Sequence, residues 1–194
     1  RPGVLNKAQI TSLLNNDKIE NGIPENAGKS SIDLHIGNTG FAMQGSIKPR
    51  QINEIADITD SFKENDPDFQ NGDTFHLKRG ETYVFKIKES IRFNNTEFSG
   101  LATGRSSIGR LDVLTRLLTD GSATYDRVEK GYQGSLWIEV TPLSFPIIIK
   151  RGMSLNQLRV FKGDPSLCRI EDQALHLWGD RLLLDESGNP VPAV

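Results

Sequence analysis

Cysteine is nearly absent: Cys168 is the sole one in 194 residues. A single thiol excludes an internal disulfide framework and a cysteine-rich zinc site, and it points to a reducing compartment. Histidine is scarce as well, and His35, His76 and His176 lie far apart with no i, i+4 pair, so no metal-ligand spacing emerges. There is no apolar run of 18 residues and no secretory leader pattern, so the expectation is a soluble, cytoplasmic protein without membrane contact. Charge of one sign is also missing. A net charge of −2 gives no bulk electrostatic case for nucleic acid, and any anionic ligand must be held by local clusters. No internal repeat and no low-complexity segment appears. The chain begins Arg-Pro-Gly without an initiator methionine, which reads as a trimmed chain or a piece of a longer one.

What is present suits one globular domain. Hydrophobic residues make up 36% and charged residues 25%, enough for a core and ordinary for a soluble chain. In KAQITSLLNNDKI, Ile10, Leu13 and Leu14 fall at helical spacing with Asn6 as N-cap, predicting a short outer helix. SSIDLHIG alternates Ile32, Leu34 and Ile36 against Asp33 and His35, which predicts a strand with His35 as a structural histidine. Residues 38 to 73 are polar and weakly patterned. TFHLKRGETYVFKIKESIRF then reads as a hairpin, two strands about a Lys78-Arg79-Gly80 turn. After the small-residue stretch FSGLATG, the period changes to 3.6. Ile108, Leu111, Leu114 and Leu118 predict the one main helix, capped by Ser106 or Ser107. SLWIEV, FPIIIK and LNQLRVF supply three more strands, the last two joined by a turn at Lys150 to Met153. In the mixed segment beyond Gly163, EDQALHLWGDRLLL has helical spacing interrupted by Gly179, and ESGNPVPAV reads as a tail or linker. The sum predicts a mostly-β sandwich or distorted jelly-roll-like barrel with a few short helices over residues 1–163, and a C-terminal extension or linker over 164–194.

Two stretches carry chemistry. In GYQGSLWIEVTP, Leu136, Ile138 and Val140 take one face of a strand and Ser135, Trp137 and Glu139 the other. Glu139 is then either part of a solvated outer face or a proton-handling group in a pocket. RSSIGR places two hydroxyls and two guanidiniums within six residues at a helix start. Free N–H groups and forked guanidinium donors suit phosphate, although a solvated cap with surface arginines has the same composition.

GRSSIGRLDV, RVEKGYQG, SLWIEV and RGMSLNQLRVF follow one another in an order that resembles the dCTP deaminase branch of the dUTPase superfamily, over residues 30 to 161. LDVLTRLL and TPLSFPIIIKRG are most similar to a longer bacterial form with two such units in one chain, which implies that this is its first unit. The resemblance implies a dUTPase-type barrel that deaminates dCTP to dUTP in dTTP-precursor synthesis. It gives Glu139 the role of catalytic proton shuttle, with Ser106 and Arg110 completing the site. Arg105 and Ser107 take positions of phosphate contacts, Arg127 that of an arginine near the phosphates, and Glu129 that of an aspartate near the deoxyribose. Tyr132 takes the place of an aromatic residue against the sugar, and Gln157 that of a glutamine in the closing strand. It further implies a homotrimer with active sites between subunits, and magnesium arriving with the triphosphate. The family's lysine- and tyrosine-rich phosphate-closing segment is not recognisable in this sequence.

These residue types agree with hydrolytic deamination. A single carboxylate can take a proton from water and pass it to the ring and the leaving amine where partial burial favours its neutral form. A hydroxyl and a guanidinium orient the water and stabilise developing charge. Lacking the Cys-rich signature of zinc deaminases, Glu139 is expected to work without zinc. The alternatives are a dUTPase or bifunctional enzyme, in which Glu129 activates water at phosphate, and a non-catalytic unit that binds nucleotide or only assembles.

Overall fold

Apolar residues alternating with polar ones set most of the frame. The structure, a computed structural model, describes residues 3–47, 54–64, 73–94 and 97–163, with 185, 187 and 189 beyond them. The chain divides into two compact units, Arg1–Gly163 and Asp164–Val194. In the second, the amides of Ser187 and Asn189 both donate to Asp185 Oδ1. The expected helix at EDQALHLWGDRLLL lies outside the described residues.

Within the first unit the order is β1 (Gly3–Val4), α1 (Lys7–Asn15), β2 (Ile19–Glu20), β3 (Ile32–Met43), α2 (Ile55–Phe62), β4 (Thr74–Leu77) and β5 (Thr82–Arg92). It continues with β6 (Phe98–Gly104), α3 (Ser106–Gly109), β7 (Val113–Thr119), β8 (Arg127–Val128), β9 (Gln133–Pro142), β10 (Ile147–Lys150) and β11 (Ser154–Lys162). Nine strands form one sheet ordered β7-β9-β5-β3-β11-β6-β8, with β1 beside β11 and β2 beside β5. The sheet curls until its ends meet. Asp126 N donates to Leu117 O at 2.9 Å, and Asp126 Oδ1 accepts from Leu117 N at 2.8 Å. Thr119 Oγ1 adds a bond to Arg127 O, and the result is a nearly closed, mostly-β barrel as expected.

Ile32, Leu34, Ile36, Phe85, Leu117, Ile138, Leu158 and Val160 fill the barrel interior. α1 forms as predicted, with Asn6 and Gln9 bonded reciprocally as a capping box and Ile10, Leu13 and Leu14 buried. Three expectations are corrected. First, the hairpin at 74–92 is not one. β4 pairs with β10 in a separate two-stranded sheet, and Phe75 lies edge-on against Phe85 with centroids 5.0 Å apart, so the two strands stack rather than pair. The Lys78-Arg79-Gly80 turn, with Gly80 at φ +77, hands the chain between sheets. By the same logic the turn at 150–153 joins strands of different sheets.

Second, the main helix over 108–118 is a single turn followed by a strand. Asp112 at φ +54 ends the helical path, and Val113, Thr115 and Leu117 alternate inward as β7 pairs with β9. The helical spacing of Ile108, Leu111, Leu114 and Leu118 is coincidental, because β-branched residues and seven cross-strand pairs outweigh it. Third, neither Ser106 nor Ser107 caps that turn. Arg105 is the N-cap residue, and its side chain makes no capping bond. In the weakly patterned region, β3 runs on to Met43, and α2 forms with Ile55 N donating to Asp120 Oδ1 at 2.8 Å.

Candidate active site

The outer face of β9 is not solvated. Trp137 is 5% exposed and Glu139 1% exposed, because Met43, Ile47, Ile55, Val84, Leu118 and Trp137 build a second apolar cluster over that face. A carboxylate brought into such a place needs partners for both oxygens, since an unpaired buried charge costs several kcal/mol, roughly. Glu139 has them. Ser46 Oγ donates to Oε1 and Oε2, each at 3.0 Å, and Ile47 N donates to Oε2 at 2.9 Å. Arg116, the cross-strand partner on β7, brings Nε to 3.5 Å from Oε1. Tyr125 braces this arrangement: its ring lies 4.7 Å from the Arg116 guanidinium and its hydroxyl donates to Ile47 O at 2.7 Å.

The Ser-Arg motif sits at the end of the barrel, between β6 and β7. One helical turn develops little macrodipole, so charge here comes from guanidiniums. Arg105 pairs with Asp33 at 3.0 Å. Gln157 lies directly across from Asp33 on one side and Thr103 on the other, and accepts from Ser31 Oγ at 3.0 Å. Arg105 and Gln157 therefore share one polar cluster around Asp33, beside the exposed Ser106, Ser107 and Arg110. Among the described residues the hydroxyls of Ser106 and Ser107 and the guanidinium of Arg110 have no partner, which leaves them available to a ligand.

Arg127 and Glu129 are exposed, with Arg127 opposite Leu101 on the far side of β6. Tyr132 is half-buried. Its hydroxyl donates to Ser135 O at 2.6 Å and accepts from Asp120 N at 3.3 Å, and burial pushes that phenol well above the usual tyrosine range. Burial likewise raises the Asp126 carboxyl above its ordinary 3.8, against the Leu117 N–H and Arg116, which pull it down.

Within one chain and among the described residues, no hydrogen bond or ion pair joins Glu139 to Ser106 or Arg110. His35, expected to be structural, places Nδ1 2.7 Å from Glu89 Oε1, and Glu89 also accepts from the His35 backbone amide. Ser46, Ile47, Arg116 and Tyr125 escaped the sequence reading. Ser46 and Ile47 lie in the unpatterned QGSI stretch. Arg116 was hidden by the helical reading of 108–118; as a strand, that segment puts Arg116 on the face away from Val113, Thr115 and Leu117.

A model described as the 2'-deoxycytidine 5'-triphosphate deaminase (DCD) N-terminal domain matches residues 1–164. A protein of Thermomicrobium roseum named dCTP deaminase is 28% identical over 148 residues, covering 72% of this chain and 69% of that protein. One of Methanopyrus kandleri, named "dCTP deaminase, dUMP-forming", is 27% identical over 140 residues, 72% of this chain and 68% of its own. The crystal structure of 2'-deoxycytidine 5'-triphosphate deaminase from Agrobacterium tumefaciens superposes with a TM-score of 0.78 at 29% identity. It covers 90% of this chain, whereas this chain spans about half (51%) of that one. The chain therefore belongs to the family of dCTP deaminase N-terminal domains.

Proposed function

We propose that this chain hydrolyses dCTP to dUTP and ammonia, with Glu139 as the proton-handling group. The observation that carries the reading is a carboxylate 1% exposed on an inner strand, held by oriented donors, in a chain of this family. Water gives a proton to Glu139 as its oxygen bonds to C4 of the cytosine ring. That proton passes to N3; Glu139 then takes the proton of the new C4 hydroxyl and hands it to the amine, and the C4–N4 bond breaks as the C4 carbonyl forms, releasing ammonia. Ser106 and Arg110 orient the water and stabilise charge on the ring. Because they do not meet Glu139 in one chain, the reading takes the site as shared between subunits of a homotrimer.

Arg105, Ser107 and Arg127 receive the phosphates, Glu129 the sugar hydroxyl and Tyr132 the sugar face, with Gln157 of the closing strand a further substrate contact. Among the described residues no group of three or more His, Cys, Asp and Glu is placed to hold a metal ion. Asp33, the carboxylate beside Arg105, is engaged by that guanidinium. Magnesium is taken as part of the substrate, carried on phosphate oxygens and water, and the deamination as zinc-independent, with Glu139 itself moving the protons. Among the described residues no helix is long and apolar enough to cross a membrane. The pathway role proposed is supply of deoxyuridine nucleotides for dTTP synthesis, in the cytoplasm.

A second reading is supported by the name "dCTP deaminase, dUMP-forming" carried by two relatives, those of Methanopyrus kandleri and Salinispora tropica. In that reading dCTP proceeds to dUMP and pyrophosphate. Incubation with dCTP and magnesium, with ammonia and pyrophosphate both measured, separates the two. Ammonia with dUTP supports the first, ammonia with stoichiometric pyrophosphate the second, and no ammonia contradicts both.

A further inference from the structure

A proton-shuttling carboxylate must be satisfied both ionised and neutral. An ionised carboxylate offers about four acceptor sites and no donor, and protonation turns one oxygen into a donor. Around Glu139, three in-chain donors take up most of those sites: the single Ser46 hydroxyl hydrogen shared between the two oxygens, Ile47 N on Oε2 and Arg116 Nε on Oε1, which leaves an acceptor position for water. A backbone N–H and a guanidinium only donate, so they serve the ionised form alone. The Ser46 hydroxyl both donates and accepts, and it rotates. It is the one partner in this set that can donate to the carboxylate and then accept from the carboxylic acid.

The placement of Ser46 strengthens the point. Glu139 is sealed from solvent, whereas Ser46 is exposed, so the hydroxyl lies between a buried carboxylate and water. Its position is fixed from two sides. Tyr125 holds the neighbouring carbonyl of Ile47 at 2.7 Å and brings its own hydroxyl to 3.5 Å from Ser46 Oγ. Arg116, stacked on the same ring, holds Oε1 from the β7 side with Nε at 3.5 Å.

We propose that Ser46, braced by Tyr125, is a positioning residue that sets the Glu139 carboxylate and stays bonded to it through both protonation states. The inference rests on the deaminase reading and deepens it, adding an in-chain hydroxyl to the one assigned to Ser106. It acts on turnover, not on nucleotide binding, because Ser46 holds Glu139 and the phosphate cluster lies elsewhere on the barrel.

The test compares wild type, Ser46→Ala and Ser46→Thr with dCTP and magnesium, measuring kcat and KM by ammonia release and nucleotide affinity by calorimetry. Urea unfolding of each variant establishes that it is folded. Losing a hydrogen bond to a charged group predicts a kcat about ten- to a hundredfold lower in Ser46→Ala, with KM and affinity within about twofold of wild type. Ser46→Thr keeps the hydroxyl at an exposed position and restores kcat to within a few-fold. A Ser46→Ala kcat equal to or above wild type, a loss confined to KM, or a threonine variant as slow as alanine overturns the inference alone. Absence of ammonia from wild type overturns the deaminase reading and this inference with it.

Discussion

Asp126 closes the barrel, and its replacement tests whether that closure is the physical seam of the fold. Three bonds converge on it: its amide donates to Leu117 O, its Oδ1 accepts from Leu117 N, and its carbonyl accepts from Ala102 N at 2.8 Å. Its φ of +62 lies in the left-handed region, which aspartate and asparagine tolerate better than alanine. Asp126→Ala leaves the Leu117 N–H without a partner and strains the backbone, together about 2–4 kcal/mol. Asp126→Asn keeps the acceptor and the tolerance of positive φ, so at acid pH it matches wild type. The sign of the pH dependence follows from the raised carboxyl. Well below the ordinary 3.8 the group is protonated in folded and unfolded chains alike and costs nothing. As pH rises, the unfolded chain ionises first, and wild type loses stability until the folded carboxyl ionises too. The asparagine variant has no such loss. Urea unfolding across pH 4 to 8 or so should show the Asn-minus-wild-type difference growing with pH and then levelling. An alanine variant as stable as wild type, or an asparagine advantage that shrinks as pH rises, would refute the reasoning.

Two further outcomes are expected. A Cβ at Gly104 would sit 2.7 Å from Thr115 Oγ1, so Gly104→Ala destabilises by about 1–3 kcal/mol, and Thr115→Ala recovers most of that in a double-mutant cycle read by thermal unfolding. Arg105 is 43% exposed and its ion pair with Asp33 contributes little to stability, so Arg105→Ala changes the unfolding free energy by less than about 1 kcal/mol yet weakens triphosphate binding about tenfold or more by calorimetry.

Local pattern carried the sequence reading wherever burial follows period. Ile32, Leu34 and Ile36, and likewise Leu136, Ile138 and Val140, alternate because only one of their faces meets the barrel interior. Asn6 announces α1 because its capping contacts are local. The pattern fails where distant chain decides. Glu139 reads as a half-exposed polar position until residues 43–47 and α2 cover its face, and nothing in QGSI announces that role. Leu114 and Leu118 mimic a helix because Leu118 packs into the second cluster while Leu114 is exposed, so apolarity and burial part company. The mispaired hairpin has the same origin, since strand pairing is set by partners such as β10 that lie some 70 residues on. Of the site, the Arg105–Gln157 association around Asp33 is visible only once β3, β11 and β6 lie side by side.

The most direct measurement is turnover and nucleotide affinity of Glu139→Gln beside wild type. The substitution keeps size and one acceptor, and the Ser46 hydroxyl can turn to accept from the new amide. Ammonia release from dCTP should fall below about a thousandth of wild type, within the range for loss of an acid–base group, while dCTP binds within a few-fold of its wild-type affinity. Undiminished ammonia release from the folded variant would contradict the account at its centre.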